Sequence, residues 1–386
     1  MWLADSLREF YKRGDLLLLA LCLLAAGFGV VMIFSATQYL DTNANVSRQL
    51  IALAMGVVVY IACSFVDIDL FLERGWKLFP IFNVFMLVWL YFAGYGGTDT
   101  GNKNWVLIPG ISFNLQPAEI TKITFVMLLA VQLTYYNRKK ILSNTASVLQ
   151  LCAHFALMAG SIFFISGDAG MCVAYLLIFI IMLWVGKLNL RWFVAGFSVL
   201  IGGAYVVYNY TSLLPNYIKQ RVAVVFDHSL DPLGIGYHQT RGILALGSGQ
   251  FSGQGLFQGI QSQSQGGLPE RHTDFIFAVI GEELGLLGCL ATILLLSAII
   301  LRCFFVSRSA RSEASSLVCV GFAGMLMVQM VLNIGMCLYV LPVIGLTLPF
   351  VSYGGSSIIS LFAAMGLVSS IKMRSLPSWL KDRTQT

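Results

Sequence analysis

At 386 residues, with 58% hydrophobic and only 11% charged residues and a mean hydropathy of +0.80, the chain is neither a water-soluble globular protein nor a charge-rich disordered one. Its composition is that of a polytopic membrane protein. The net charge of +6 needs no nucleic-acid partner, because basic residues gather on the cytoplasmic side of membrane proteins, and the lack of a G-x-x-x-x-G-K-[ST] loop argues against ATP hydrolysis.

A run of about 20 apolar residues crosses a hydrocarbon core of about 30 Å. Ten such runs are predicted, near residues 15–36, 49–66, 76–94, 118–135, 148–166, 169–186, 190–208, 274–303, 316–341 and 356–372. The first follows a basic start (Arg8, Lys12, Arg13), but bulky Phe34 sits two positions before Ala36 where a cleavage site would need a small residue, so it reads as a retained span. Placing the N-terminus in the cytoplasm puts 17 of the 24 Lys and Arg residues on that side. Six fall outside (Arg48, Lys103, Lys219, Arg221, Arg241, Arg271) and Lys122 falls within a span. The expectation is one all-α integral domain over residues 1–386 of a bacterial plasma membrane protein, with both termini cytoplasmic. All eight cysteines lie in or beside apolar runs, without C-x-x-C spacing or a histidine cluster, and read as small apolar residues rather than redox or metal groups.

Two outer segments interrupt the spans: residues 95–117, with GNKNWVLIPGISFNLQP, and residues 209–273, with GILALGSGQFSGQGLFQGIQSQSQGG, between predicted helices 7 and 8. Long loops are functional or disordered, and both of these lead into spans that carry charge, which favours function. At the first exit, Glu119 and Lys122 share a helix face. They read either as a mutually neutralised pair or as a charged pocket in which Lys122 meets phosphate or carboxylate. Trp105 reads as an interfacial anchor as readily as a ligand contact.

The second exit, LPERHTDFIFAVIGEELG (268–285), places Asp274, Glu282 and Glu283 in or beside a span. A charge at bilayer depth costs roughly 2.5–3.5 kcal/mol, so such carboxylates are functional candidates. Thr273 is the expected N-cap, with Asp274 at the cap or first turn. Capping alone would account for this aspartate; alternatively, the helix dipole outweighs burial and leaves an ionised Asp274 as a general base. Of Glu282 and Glu283, at least one must face protein, and Gly281 with Gly285 would admit a neighbouring backbone. The last motif, LPVIGLTLPFVSYGGSS (341–357), joins two prolines, a Gly-Gly pair and the hydroxyls of Ser352, Tyr353, Ser356 and Ser357. It is either a re-entrant, cavity-lining turn or a plain interhelical loop.

The blocks NWVLIPGISFNLQPAEITK, LPERHTDFIFAVIGEELG and NIGMCLYVLPVIGLTLPFVSYGGSS, in this order, resemble the shape, elongation, division and sporulation (SEDS) family over essentially the whole chain, nearest its elongation branch. The resemblance implies a peptidoglycan glycosyltransferase that polymerises lipid II at the outer membrane face. It puts the family's essential aspartate on Asp274, its loop tryptophan on Trp105 and its acid and base pair on Glu119 and Lys122. Two departures touch fine contacts: Ala118 stands before Glu119 where serine is usual, and Asp168 lies in Ser166-Gly167-Asp168-Ala169-Gly170 rather than in a Q-P-D-x-G block. The chemistry requires a carboxylate to take the acceptor hydroxyl's proton and cations to balance the leaving diphosphate. Asp274 is assigned the first role, and Lys122, with Arg241 and Arg271, the second. Ser352 and Tyr353 are expected to contact substrate, with Asp168, Glu282 and Glu283 in support. No motif demands a metal, although a divalent cation on the diphosphate fits the chemistry. The resemblance also implies a class B penicillin-binding transpeptidase as partner. A lipid-precursor flippase and a non-catalytic scaffold stand as alternatives.

Overall fold

The structure, a computed structural model, describes residues 2–40, 43–96, 103–108, 114–210, 216–228, 234, 236–264 and 266–375. Helices form at all ten apolar runs. In chain order they are α1 (Trp2–Arg13), α2 (Leu16–Thr37), α3 (Ala44–Phe65), α4 (Ile68–Arg74), α5 (Leu78–Ala93), α6 (Pro117–Arg138), α7 (Thr145–Ser166), α8 (Ala169–Val185), α9 (Leu190–Tyr210), α10 (Asn216–Phe226), α11 (Tyr237–Gly249), α12 (Ile260–Gln263), α13 (Ile276–Ser309), α14 (Glu313–Cys337) and α15 (Gly355–Met373). Seven of them, α2, α3, α6, α7, α13, α14 and α15, are long and apolar enough to cross a membrane. The pair α4 and α5, bent by 84°, would count as an eighth among the described residues if taken as one broken span, and α8 and α9 are shorter apolar helices.

Helix placement follows polarity. The inner helices α6 and α15 are 72% and 78% buried over their most apolar windows and have hydropathies of only 1.3 and 1.5, whereas α2, at 2.8, is 39% buried. Helices facing lipid need apolar side chains all along that face, while inner helices can pair polar groups with one another. Buried polar side chains on the inner helices include Glu119 and Lys122 on α6, Asn333 on α14 and Ser356 and Ser357 at the start of α15.

Two irregular segments enter the bundle from the end that carries the two long loops. The helix α13 breaks at Gly285, where φ is +65° and ψ −161°, a conformation that side chains other than glycine's disfavour. The freed backbone groups are taken up by the turn after α11: Gln254 and Gly255 N–H donate to the Glu282 and Glu283 carbonyls at 2.9 and 3.0 Å, and Leu286 N–H donates to Gln250 at 2.9 Å. A side chain on Gly285 would collide with Gly253 and Phe251, and one on Gly249 with the Gly281 carbonyl. The backbone approach expected at Gly281 and Gly285 is thus made by α11 and its turn. The second segment, between α14 and α15, buries Leu346, Leu348, Phe350 and Val351 to 1–2% exposure, packing into the bundle as the re-entrant, cavity-lining reading of this motif expects.

The first loop carries a feature the all-α expectation did not include, a small antiparallel sheet of β1 (Gly94–Tyr95), β2 (Trp105–Leu107) and β3 (Asn114–Leu115) in the order β1-β2-β3. Trp105 pairs with Tyr95 across it. The rest of that loop, 97–102 and 109–113, and residues 211–215, 229–233, 235 and 265 of the second loop lie outside the described residues.

Candidate active site

Asp274 precedes the short buried half of α13. The helix's N-cap is Phe275 rather than Thr273, whose hydroxyl instead donates to the carbonyl and carboxylate of Glu270 at 3.1 and 2.8 Å. The carboxylate of Asp274 caps nothing and has no hydrogen-bond partner among the described residues, while its main-chain carbonyl accepts from Asn333 Nδ2 at 2.8 Å and from the Cys337 thiol at 3.7 Å. The expected capping arrangement is therefore corrected. A carboxyl that gains neither cap nor partner is governed by desolvation first, then by Glu270 and Asp168, with Arg221 pulling the other way, and its pKa is pushed up to about 7. The helix dipole does not outweigh burial, and near neutral pH the group is poised between its two forms.

The loop before α15 wraps this position. Tyr353 N–H donates to the His272 carbonyl at 2.8 Å, Ser352 Oγ donates to the Thr273 carbonyl at 2.6 Å and accepts from Leu348 N–H at 2.8 Å. Gln49 on α3 accepts from Gly354 N–H and donates to the Ser352 carbonyl. The absent side chain of Gly345 would point at Asp274 Oδ2, 3.6 Å away. Ser352 is buried and its hydroxyl is used twice within the protein, so it braces the loop rather than facing a substrate as expected. Tyr353 is half-buried, its ring 5.5 Å from that of His272.

Asp168 faces the same region from α8, where its carboxylate caps the helix by accepting from Met171 N–H at 2.9 Å and takes a further bond from Asn104 Nδ2 at 3.3 Å. Burial raises its pKa; Lys122 partly offsets this and Glu119 adds to it. Glu119 and Lys122 are fully buried on α6 with Oε1 and Nζ 2.9 Å apart, and Ser357 Oγ donates to the second Glu119 oxygen at 3.4 Å. The neutralised-pair reading describes this geometry, and the field of Lys122 still reaches Asp168.

The other two carboxylates of the second block lie elsewhere. Glu282 accepts from Gln261 and Ser262 N–H at 2.6 and 2.9 Å; Glu283 accepts from Ser35 Oγ at 2.6 Å, Ser262 Oγ at 3.0 Å and Phe257 N–H at 3.1 Å. Arg271 is buried, donates to the carbonyls of Ser262 and Ser264 and lies 3.7 Å from the Tyr39 ring. These three residues hold residues 257–264 against α13 and α2. The expectation that Arg271 meets diphosphate is corrected to a bracing role, because Nη1 and Nη2 both donate into the loop. Arg241, half-buried on α11, donates to Gln261 Oε1 at 3.3 Å beside the Tyr237 ring.

With this geometry in view, the profile of the FtsW/RodA/SpoVE family, described as "Cell cycle protein", matches residues 15–376. The chain belongs to that family. Peptidoglycan glycosyltransferase MrdB of Escherichia coli strain K12 is 32% identical over 359 residues, 92% of each chain. Among solved structures, a chain from a peptidoglycan synthase complex that coordinates polymerization and crosslinking is 26% identical with a TM-score of 0.76, covering 97% of this chain and 99% of that one. The rod shape determining protein RodA of Thermus thermophilus shares the fold at 22% identity and a TM-score of 0.67, over 95% and 98% of the two chains.

Three residues of this FtsW/RodA/SpoVE member join the site without having been picked out in the sequence. Asn104 neighbours Trp105, Arg221 is one of the six outer basic residues, and Asn333 opens the third resembling block. Arg221 on α10 donates to the Val343 carbonyl at 3.0 Å and is the cation that lowers the pKa of Asp274. Only its charge and outer position could have signalled it.

Proposed function

We propose that this family member polymerises lipid II into glycan strands, with Asp274 as general base. The observation that carries the reading is a carboxylate without a hydrogen-bond partner among the described residues, poised near neutral pH, at the end of the bundle where both long loops converge. In the reaction, the acceptor sugar's hydroxyl oxygen forms a bond to the donor's anomeric carbon as the bond from that carbon to the diphosphate oxygen breaks. The hydroxyl proton passes to Asp274 Oδ, the electron pair leaves with the polyprenyl diphosphate, and the anomeric centre inverts. Arg221, the cation whose charge acts on Asp274, would balance the leaving diphosphate, with Arg241 as a more distant candidate and Lys122 contributing through its field. A divalent cation bound to the diphosphate fits the same chemistry, since Mg²⁺ needs only one or two protein carboxylates beside substrate phosphates.

The active end faces the outside of a bacterial plasma membrane, with both termini in the cytoplasm, a placement supported by the bias of basic residues. A class B penicillin-binding transpeptidase is proposed as partner. Its membrane helix would meet the apolar face of α13 formed by Leu287, Leu290, Leu294 and Leu301, all exposed; the small-residue face is already taken by α11 and its turn.

Purified protein given labelled lipid II tests the reading directly. Glycan polymer that disappears in Asp274→Asn is the expected result. Lipid movement across the bilayer without polymer would establish the flippase instead, and polymer at parental rate from Asp274→Asn would remove Asp274 as base. Chelation that stops polymerisation, with recovery on adding Mg²⁺, would assign the divalent cation.

A further inference from the structure

The carbonyl oxygen of Asp274 and that of Leu346, 72 residues apart in sequence, are both acceptors for one side chain, Asn333 on α14. Its Nδ2 donates to Asp274 at 2.8 Å and to Leu346 at 2.7 Å, and the side chain is completely buried. Two carbonyls at one end of the amide fix its orientation, since only the NH₂ group can serve both. Leu346 follows Gly345, which has a φ of +68° and whose absent side chain would meet Asp274 Oδ2 at 3.6 Å, so this segment runs directly alongside the carboxylate. Position 333 also lies on α14, a helix 78% buried over its apolar window, so the anchor is rigid. Cys337, one turn later on the same face, adds a weaker bond to the same Asp274 carbonyl.

We infer that Asn333 is a positioning residue for the reaction: it pins the main chain of Asp274 to the re-entrant segment and so fixes where the carboxylate points relative to the loop that lines the site. The inference rests on the proposed role of Asp274. A carboxylate with no hydrogen bond of its own cannot be oriented by its side-chain partners, so its direction is set through the backbone, and Asn333 supplies the only side-chain amide bonded to that backbone carbonyl among the described residues. Misplacement by about 1 Å costs about 10²-fold in rate, which is the scale to expect.

The test uses full-length protein in lipid nanodiscs with labelled lipid II, reading kcat, KM and the pH midpoint of kcat/KM per folded molecule. Asn333→Leu, similar in volume and without donors, is expected to lower kcat by about 10- to 100-fold with KM within about twofold. Its pH midpoint should also move, because the carboxylate will sit differently among Glu270 and His272 of its own loop, Asp168 of α8, Arg221 of α10 and Cys337 of α14. Asn333→Ser, which keeps one donor, should fall between. Val328→Ala, a cavity elsewhere on α14, controls for destabilisation and should leave both kcat and midpoint alone. Parental kcat and midpoint in Asn333→Leu and Asn333→Ser, or a loss confined to KM, would overturn the pin. Polymerisation by Asp274→Asn at parental rate would remove the general-base reading itself, which makes the two failures distinguishable.

Discussion

Two sets of carboxylates from a single ten-residue stretch end in opposite circumstances. Glu282 and Glu283 are sealed inside the bundle, and each of their four oxygens accepts at least one hydrogen bond from residues 257–262, from Ser35 or from both. Asp274 lies two turns earlier, partly exposed, with its carboxylate bonded to nothing among the described residues and its pKa pushed up to about 7. Charge at membrane depth marks a candidate, but hydrogen-bond saturation separates a brace from a reactive group. Carboxylate oxygens already taken up by fixed donors serve to hold the loop, whereas an unsatisfied, desolvated carboxylate is left available to accept a proton.

The sharpest way to break this contrast is Asp274→Asn. It should reduce lipid II polymerisation by about 10³-fold or more, in the range of losing a general base, while leaving the thermal midpoint unchanged or raised, since a desolvated charge is removed. A fall in stability to match the fall in activity would make Asp274 a structural residue like its neighbours. Next comes Lys122→Met, which leaves Glu119 buried and unpaired and should destabilise the protein by about 3–5 kcal/mol. Pairing it with Glu119→Leu should restore much of the stability. Polymerisation recovering with stability would confine the pair to neutralisation; a stable but inactive double variant would give Lys122's field a catalytic share.

Glu282→Ala strands the Gln261 and Ser262 N–H groups and should cost about 1.5–3 kcal/mol, with kcat per folded molecule near the parental value. A selective loss of kcat would erase the distinction between brace and site. The smallest effect is on pH. As a base, Asp274 must be deprotonated, so kcat/KM should rise with pH and reach half its plateau near pH 7. Glu270→Gln or Asp168→Asn, each removing a like charge, should lower that midpoint, and Arg221→Met should raise it. The stability linkage runs oppositely: a folded-state pKa raised above the unfolded value stabilises the fold at low pH, and that contribution is lost as pH rises through about 7. A midpoint indifferent to all three substitutions would disconnect the observed titration from Asp274.

Much of the architecture was legible because lipid imposes a simple rule. A backbone that must satisfy itself in hydrocarbon becomes helix, and its lipid-facing side chains become apolar, so every predicted run corresponds to a helix. Charge in the motifs likewise located Asp274, Glu119 and Lys122. The small sheet holding Trp105 was not foreseen, because strands of two or three residues leave no periodicity to read. Nor was the broken α13, since a single glycine inside an apolar run is indistinguishable from packing until the turn after α11 is seen bonding to the exposed carbonyls.

The sequence by itself determined the class, the helical spans and the identity of the residues able to carry proton transfer, because hydropathy and charge are properties of the residues themselves. Only the tertiary structure decided which carboxylate is free, that Arg271 and Ser352 brace loops, and that Asn104, Arg221 and Asn333 belong with Asp274. Those outcomes depend on which donors reach which acceptors across segments up to hundreds of residues apart, and in a desolvated interior that pairing, rather than residue type, sets both proton affinity and orientation.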